Sequence, residues 1–323
     1  MIRVGYPQNT MPEYLRCFPE EVELIALPEQ PSEEVAIDVW IPDPIGARAL
    51  RVAPFLRGVK LVLAQTAGTE WVPQAVGPEV TICNARGAHN IATAEWTVGA
   101  IFAMLKYFPF YLDVQQSGGW KRRFEACAQY ANFSGDERRL VPPVLLEELT
   151  GKKVLLVGHG AIGKEIERML APFHVALTRM ARTARSEPKV EPVSELDRLL
   201  PEAEVIILIL PLTADSHHMI NAERLAKMRR GALIINAARG PIIDTDALVA
   251  ALNEGRIRAA LDVTDPEPLP DSHPLWKCPN LLLTPHVAGS VPQAGPRALA
   301  VVADELRRYI KGEALENMVR KGI

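Results

Sequence analysis

The run KKVLLVGHGAIG, residues 152–163, constrains the chain more than any other. Its apolar half reads as a buried strand. The segment Gly158-His159-Gly160-Ala161-Ile162-Gly163 then satisfies G-x-G-x-x-G where helical spacing begins, from Ile162. Gly158 permits a tight turn, Gly160 lets backbone approach a pyrophosphate, and Gly163 allows close helix–strand packing, with the helix N-terminus facing the phosphates. In that setting a dinucleotide site is favoured over a bare strand–helix turn without a ligand. Gly158, Gly163 and Lys164 also nearly spell the phosphate loop GxxxxGK. Glu165 stands where that motif needs Ser or Thr for magnesium, so the nucleotide-triphosphatase reading is rejected.

The rest of the second half continues the theme. VALTRM, VIILIL, ALIINA, RAALDV and NLLLTP follow KKVLLVG, making six apolar runs separated by helical stretches. That is the pattern of a doubly wound, Rossmann-type parallel sheet. At 323 residues the chain has room for about two domains. The first ninety residues also alternate short strands (IRVGY, VELIAL, IDVWI, KLVLAQ, VTICNA) with helical spacing, as at 46–56, so both domains read as α/β with parallel sheets. Residues 95–106 (EWTVGAIFAMLK) read as a buried helix, and 294–312 as a helix rich in Ala, Leu and Arg whose owner is open. Residues 115–149 are polar and without period, a long excursion suited to an arm used in oligomerisation.

Composition removes several classes. The chain is 48% hydrophobic and 23% charged with a net charge of −3, which fits a globular protein and offers no footprint for nucleic acid. The basic clusters at 121–123 and 138–139 are short. The longest apolar runs, at 97–105 and 205–210, fall far below the roughly 20 residues that span a bilayer. MIRVGYP lacks the apolar region of a secretory signal, so a cytoplasmic protein is expected. Cys17, Cys83, Cys127 and Cys278 form no CxxC pair, and His217-His218 are adjacent rather than four apart, so neither a disulfide framework nor a metal is expected.

Ligands in open α/β sheets bind beyond the carboxyl ends of strands. The end of the second strand of this domain, Thr178 to Arg185, lacks the acid that usually bonds an NAD ribose and carries Arg179, Arg182, Thr183 and Arg185 instead. Arginine forks suit a 2′-phosphate, so NADP(H) is favoured, with NAD(H) the alternative. Three further strand ends carry Arg239, then Asp262 and Glu267, then His286. Hydride transfer to a 2-oxo acid needs such a set: a fork for the substrate carboxylate, a carboxylate that orients a histidine and raises its pKa, and the histidine as proton donor. Each residue alone also has a bland reading as loop or turn.

VGHGAIG, PLTADSHHMI, INAARGPIIDTDAL, LDVTDPEPLP and LTPHVAG, with QTAGTEWV and NARGAHNIATAEWTV in the first domain, resemble the D-isomer-specific 2-hydroxyacid dehydrogenases over nearly the whole chain. The resemblance implies that Arg239, Glu267 and His286 are catalytic. It implies cofactor contacts at Gly158, Gly160, Ala161, Ile162, Gly163, Arg182, Thr183, Pro211, Thr213, Ala237, Ala238, Arg239, Asp262, His286 and Gly289, and substrate contacts at Ala67, Gly68, Arg239 and His286. It further implies a discontinuous substrate domain (1–97 plus 290–323), a dinucleotide domain (98–289) and a homodimer. Glyoxylate or hydroxypyruvate, reduced to the hydroxy acid, is the leading substrate. Ala181 replaces the usual acid, as in NADP-using members, while His89 and Glu70 depart from the frequent Asn and Asp. The rivals are a nucleotide sensor without turnover, a phosphoglycerate-dehydrogenase-like enzyme, and a formate-dehydrogenase-like enzyme, which pairs its histidine with Gln where Glu267 stands here.

Overall fold

The computed structural model describes residues 1–125 and 147–319. Most of the polar excursion, with Cys127, lies outside the described residues. The chain divides into two compact units, Met1–Asn90 with Ser290–Ile323, and Ile91–Gly289. Among the described residues no single helix is long and apolar enough to cross a membrane.

The first unit holds β1 (Ile2–Pro7), β2 (Val22–Leu27), β3 (Val35–Ala36), β4 (Val39–Trp40), β5 (Leu56–Arg57), β6 (Leu61–Leu63) and β7 (Thr81–Cys83). Five of them make a parallel sheet in the order β2-β1-β4-β6-β7, and β3 pairs with β5. Side chains alternate across a strand. Val39, Leu61 and Leu63 therefore join Val4 on one face, where Leu299, Val302, Ala303 and Leu306 cover them. Trp40 and Val62 face the other way, against Ala49 and Val52 of α1 (Gly46–Val52) and Val72 of α2 (Val72–Ala75). The C-terminal helix, Ala294–Lys311, thus belongs to the first unit.

The second unit carries β8 (Lys153–Val157), β9 (Ala176–Ala181), β10 (Glu191–Pro192), β11 (Val205–Leu208), β12 (Leu233–Asn236), β13 (Arg258–Leu261) and β14 (Leu281–Leu283). All seven run parallel in the order β10-β9-β8-β11-β12-β13-β14. β8, the first strand of this sheet in chain order, lies inside it, with β9 on one side and β11 on the other. The crossovers therefore wind in both directions, and a crevice opens at the strand carboxyl ends. Leu155, Val157, Ile206, Leu208 and Ile234 bury into one layer; Val154, Leu156, Val205, Ile207, Leu233 and Ile235 bury into the other.

Six of the seven strands are the six apolar runs. β10 is a two-residue edge strand of Glu and Pro that no hydrophobic pattern announces. The helix expected over 95–106 runs over Asn90–Leu105 as α3. Its polar-looking first turn buries Ala92, Thr93 and Ala94, and Thr97 Oγ1 donates to the Thr93 carbonyl at 2.8 Å, which lets its hydroxyl sit in the core. After it α4 spans Phe108–Ser117, and the dinucleotide-turn helix, α5, spans Ala161–Leu170.

Candidate active site

The glycine turn is built as its spacing predicts. Gly158 leaves β8 at φ 113°, and an added Cβ there would overlap the Ile209 carbonyl. At Gly163 a Cβ would overlap the Gly158 carbonyl. Gly160, in contrast, faces open space. Two glycines are therefore required by packing, while the third leaves room over the N-terminus of α5, where Ala161 and Ile162 begin the helix. That open cradle fits a pyrophosphate lying against backbone.

The neighbouring strand ends complete the crevice floor. Arg182 and Thr183 follow β9 and are exposed. Arg179, counted with them as a cation in the sequence, is committed elsewhere: its Nε and Nη2 both grip Glu167 Oε1. Beyond β11, the Ser216 hydroxyl donates to the Pro211 carbonyl at 2.8 Å and accepts from the Thr213 N–H at 2.7 Å, holding both residues in one tight loop. Beyond β12, Asn236 braces the Ala237-Ala238-Arg239 segment, its Nδ2 donating to the Arg239 carbonyl at 2.9 Å and its Oδ1 accepting from the Ala238 N–H at 3.0 Å. Gly240 lies so close to the β13 end that a Cβ would overlap the Thr264 carbonyl. Sequence reasoning missed Ser216 and Asn236; a buried polar residue at a strand end was the available signal.

Asp262, after β13, is 2% exposed and wholly occupied. Its Oδ1 accepts from Thr284 Oγ1 at 2.6 Å and Val287 N at 2.8 Å, and its Oδ2 from Ala288 N at 2.9 Å. These bonds, with the His286 N–H donating to the Asp262 carbonyl at 2.7 Å, hold His286 in a left-handed conformation, φ 54°. So placed, His286 Nδ1 lies 2.6 Å from Glu267 Oε1. The hydrogen bond it donates to Glu267 raises the His286 pKa above its usual value, against burial and the nearby Arg239 charge, which lower it. Reciprocally, the bond to His286 holds the Glu267 carboxyl below its usual value, against burial. The histidine is thus poised to carry a proton on the nitrogen that points away from Glu267.

Arg239, Asp262, Glu267 and His286 are therefore gathered at three adjoining strand ends of one sheet, with the glycine turn at β8 of the same sheet. Ala67 and Gly68 lie in the first unit, in the loop after β6. Their carbonyls accept from Asn84 Nδ2 at 2.9 Å and Thr66 Oγ1 at 2.7 Å respectively. In the same unit His89 Nε2 lies 3.3 Å from the Gln65 carbonyl. Gly289 closes the second unit. Among the described residues no three His, Cys, Asp or Glu side chains gather to hold a metal ion.

A doubly wound sheet with this turn and this histidine–carboxylate pair defines a nicotinamide-dependent oxidoreductase. Residues 98–288 match the model of the D-isomer specific 2-hydroxyacid dehydrogenase, NAD binding domain. The chain is 34% identical over 289 residues to a glyoxylate reductase of Thermofilum pendens, covering 87% of this chain and 80% of the relative. It is 32% identical over 274 residues to a mitochondrial formate dehydrogenase of Hordeum vulgare, covering 81% and 68%. Among solved structures, the TT0316 protein of Thermus thermophilus superposes with a TM-score of 0.75 at 28% identity, over 99% of this chain and 100% of that one. The chain belongs to the D-isomer specific 2-hydroxyacid dehydrogenase family, whose members act on small 2-oxo and 2-hydroxy acids with a nicotinamide cofactor.

Proposed function

We propose that this chain is an NADPH-linked reductase of a small 2-oxo acid of the glyoxylate or hydroxypyruvate kind, acting in the cytoplasm as a homodimer. The observation that carries the reading is the 2.6 Å contact between His286 Nδ1 and Glu267 Oε1. A glutamate in that place keeps the histidine protonated and suits alcohol chemistry, where a neutral partner would not.

The residues divide the work as follows. Gly158, Gly160, Gly163, Ala161 and Ile162 hold the pyrophosphate against backbone N–H groups. Ala237, Ala238 and Asp262 would contact the nicotinamide half, with Pro211, Thr213 and Gly289 as further residues that would hold the cofactor. The basic segment after β9 favours a 2′-phosphate, since no acid there competes for a ribose hydroxyl. When bound, the reduced nicotinamide supplies a hydride to the carbonyl carbon. Arg239 grips the substrate carboxylate and polarises the carbonyl. His286 donates its Nε2 proton to the developing alkoxide, and in the reverse direction its neutral ring takes that proton back.

The test is nicotinamide oxidation by purified protein against glyoxylate, hydroxypyruvate, pyruvate and phenylpyruvate, with NADPH and NADH compared, beside His286→Ala. Turnover with NADPH well above NADH is expected, and the variant should lose about 10²–10⁴-fold in kcat while keeping nucleotide affinity. Binding of both nucleotides without turnover on any acid would instead favour a sensor.

A further inference from the structure

The dinucleotide turn carries, between its first two glycines, a side chain that the motif leaves free to vary. That residue, His159, has a side chain only 1% exposed, and both ring nitrogens are engaged. Nε2 lies 2.6 Å from Glu167 Oε2, and Nδ1 lies 2.8 Å from Arg185 Nη2. The same Nη2 also donates to the His159 main-chain carbonyl at 3.2 Å. A guanidinium cannot accept a hydrogen bond, so Nδ1 is the acceptor and the ring proton sits on Nε2, donated to Glu167. Glu167 is in turn gripped by Arg179, whose bond holds the Glu167 carboxyl low. The line Arg185, His159, Glu167, Arg179 thus contains two cations and one anion. Glu167 and Arg179 pair with each other, which leaves Arg185 as the cation without a counter-charge.

Two further observations separate Arg185 from Arg182. A backbone bridge closes on Arg185, its N–H donating to the Val190 carbonyl at 3.1 Å and its carbonyl accepting from the Val190 N–H at 2.9 Å. Its guanidinium also touches the backbone of the glycine turn, the element that cradles the pyrophosphate. Both arginines are exposed, but among the described residues no hydrogen bond or ion pair fixes the Arg182 side chain. A cation that is already immobile loses less freedom when it meets a phosphate.

We propose that Arg185, held against the glycine turn by His159, reads the 2′-phosphate of the nucleotide, and that His159 is the positioning residue behind the NADP(H) preference. The inference rests on the NADPH reading above and names the residues that would produce it. Arg182 then contributes as a mobile surface charge only.

The experiment is calorimetric binding of adenosine 2′,5′-bisphosphate and of adenosine 5′-monophosphate, which needs neither turnover nor nicotinamide. Wild type should prefer the bisphosphate by about 10-fold or more, the scale of one charge-assisted contact. Arg185→Gln and His159→Leu should each lose most of that preference with monophosphate affinity held within about twofold. Arg182→Gln should keep it. His159→Asn, whose Oδ1 stands near the Nδ1 position and still accepts from Arg185, should also keep it. A merely structural His159 would lower affinity for both ligands alike, and that result overturns the proposal. So does loss of the preference in Arg182→Gln with retention in Arg185→Gln. A wild type that does not distinguish the two ligands refutes the NADPH reading and this inference with it, whereas the first two results leave that reading standing. Should His159→Leu fail to fold, Arg185→Gln and His159→Asn decide the matter.

Discussion

Replacing Glu267 by Gln removes a charge while leaving an acceptor where Oε1 now stands, 2.6 Å from His286 Nδ1. The orientation of the imidazole should survive, so what changes is the stabilisation of its charged form. An opposite charge at such range shifts a pKa by about 1–3 units. The two side chains are 49% and 42% exposed, so solvent screening places the effect at the low end, about 1 unit or ~1.4 kcal/mol between protonation states. Arg239 lowers the His286 pKa in both forms, and in the variant only the weaker charge of Asp262 opposes it. In the reductive direction His286 must be protonated, and activity falls as pH rises through its pKa. The variant's falling limb in kcat/KM should therefore lie about one pH unit lower, with a gap of ~10-fold above both limbs and little difference below them. In the oxidative direction the neutral ring is the base, and the rising limb should move to lower pH by the same amount. Initial rates from about pH 5 to about pH 10, read from nicotinamide absorbance, measure both limbs. A limb that stays in place while the plateau drops would show that Glu267 orients the ring without sustaining its charge, and the electrostatic argument would be wrong.

Four other substitutions separate packing from chemistry. Gly160→Ala places its Cβ in open space, so stability should change by less than ~1 kcal/mol while nucleotide affinity falls at least ~10-fold; Gly158→Ala, with φ 113° and a backbone overlap, should lose about 1–3 kcal/mol or more before any nucleotide is added. Asp262→Asn cannot accept from all three donors that now meet its carboxylate, so kcat should fall with nucleotide affinity nearly intact; a selective loss of nucleotide affinity would mean that Asp262 acts on the cofactor rather than on the His286 loop. Burial pushes the Glu147 carboxyl up, but Arg258 at 2.6 Å and Lys152 at 2.7 Å outweigh it and leave its pKa below the usual range. A carboxyl lowered in the fold stabilises above its unfolded pKa and loses that contribution as pH falls through the folded one. Glu147→Gln should therefore cost about 3–5 kcal/mol at neutral pH, a gap that narrows in chemical denaturation as pH falls below the ordinary carboxylate range.

The sheet of the second unit was legible because parallel strands covered on both faces must be apolar throughout, and VIILIL or ALIINA can hardly be anything else. β10 was not legible, since an edge strand of Glu191 and Pro192 needs only two backbone bonds and carries no core residue. The site was legible to the same depth. Residues at strand ends, Arg239, Glu267 and His286, could be named from chain order, because topology places all such ends on one rim. Their supports could not. Asp262 holds Val287 and Ala288 across 25 and 26 positions, and Arg185 meets His159 across 26, contacts that exist only once neighbouring strands are paired. The three arginines after β9 looked alike in the sequence. Only the fold shows that Glu167 takes Arg179, that the turn takes Arg185, and that Arg182 is held by no side-chain contact among the described residues.

The helix Ala294–Lys311 covers a sheet whose strands are all complete by Cys83, and this sets a timetable for synthesis. Strands β8 to β14 leave the ribosome in one uninterrupted stretch and can pair as they emerge. The earlier sheet must wait for Leu299, Val302, Ala303 and Leu306, which at about 5–20 residues per second arrive about 10–40 s after β7. During that interval Val4, Val39, Leu61 and Leu63 lack the cover of that helix. The part of the protein made first is the last to mature, and a chain stopped short of residue 294 would present a finished nucleotide unit joined to a sheet with one apolar face left partly uncovered, a natural substrate for chaperones and proteases.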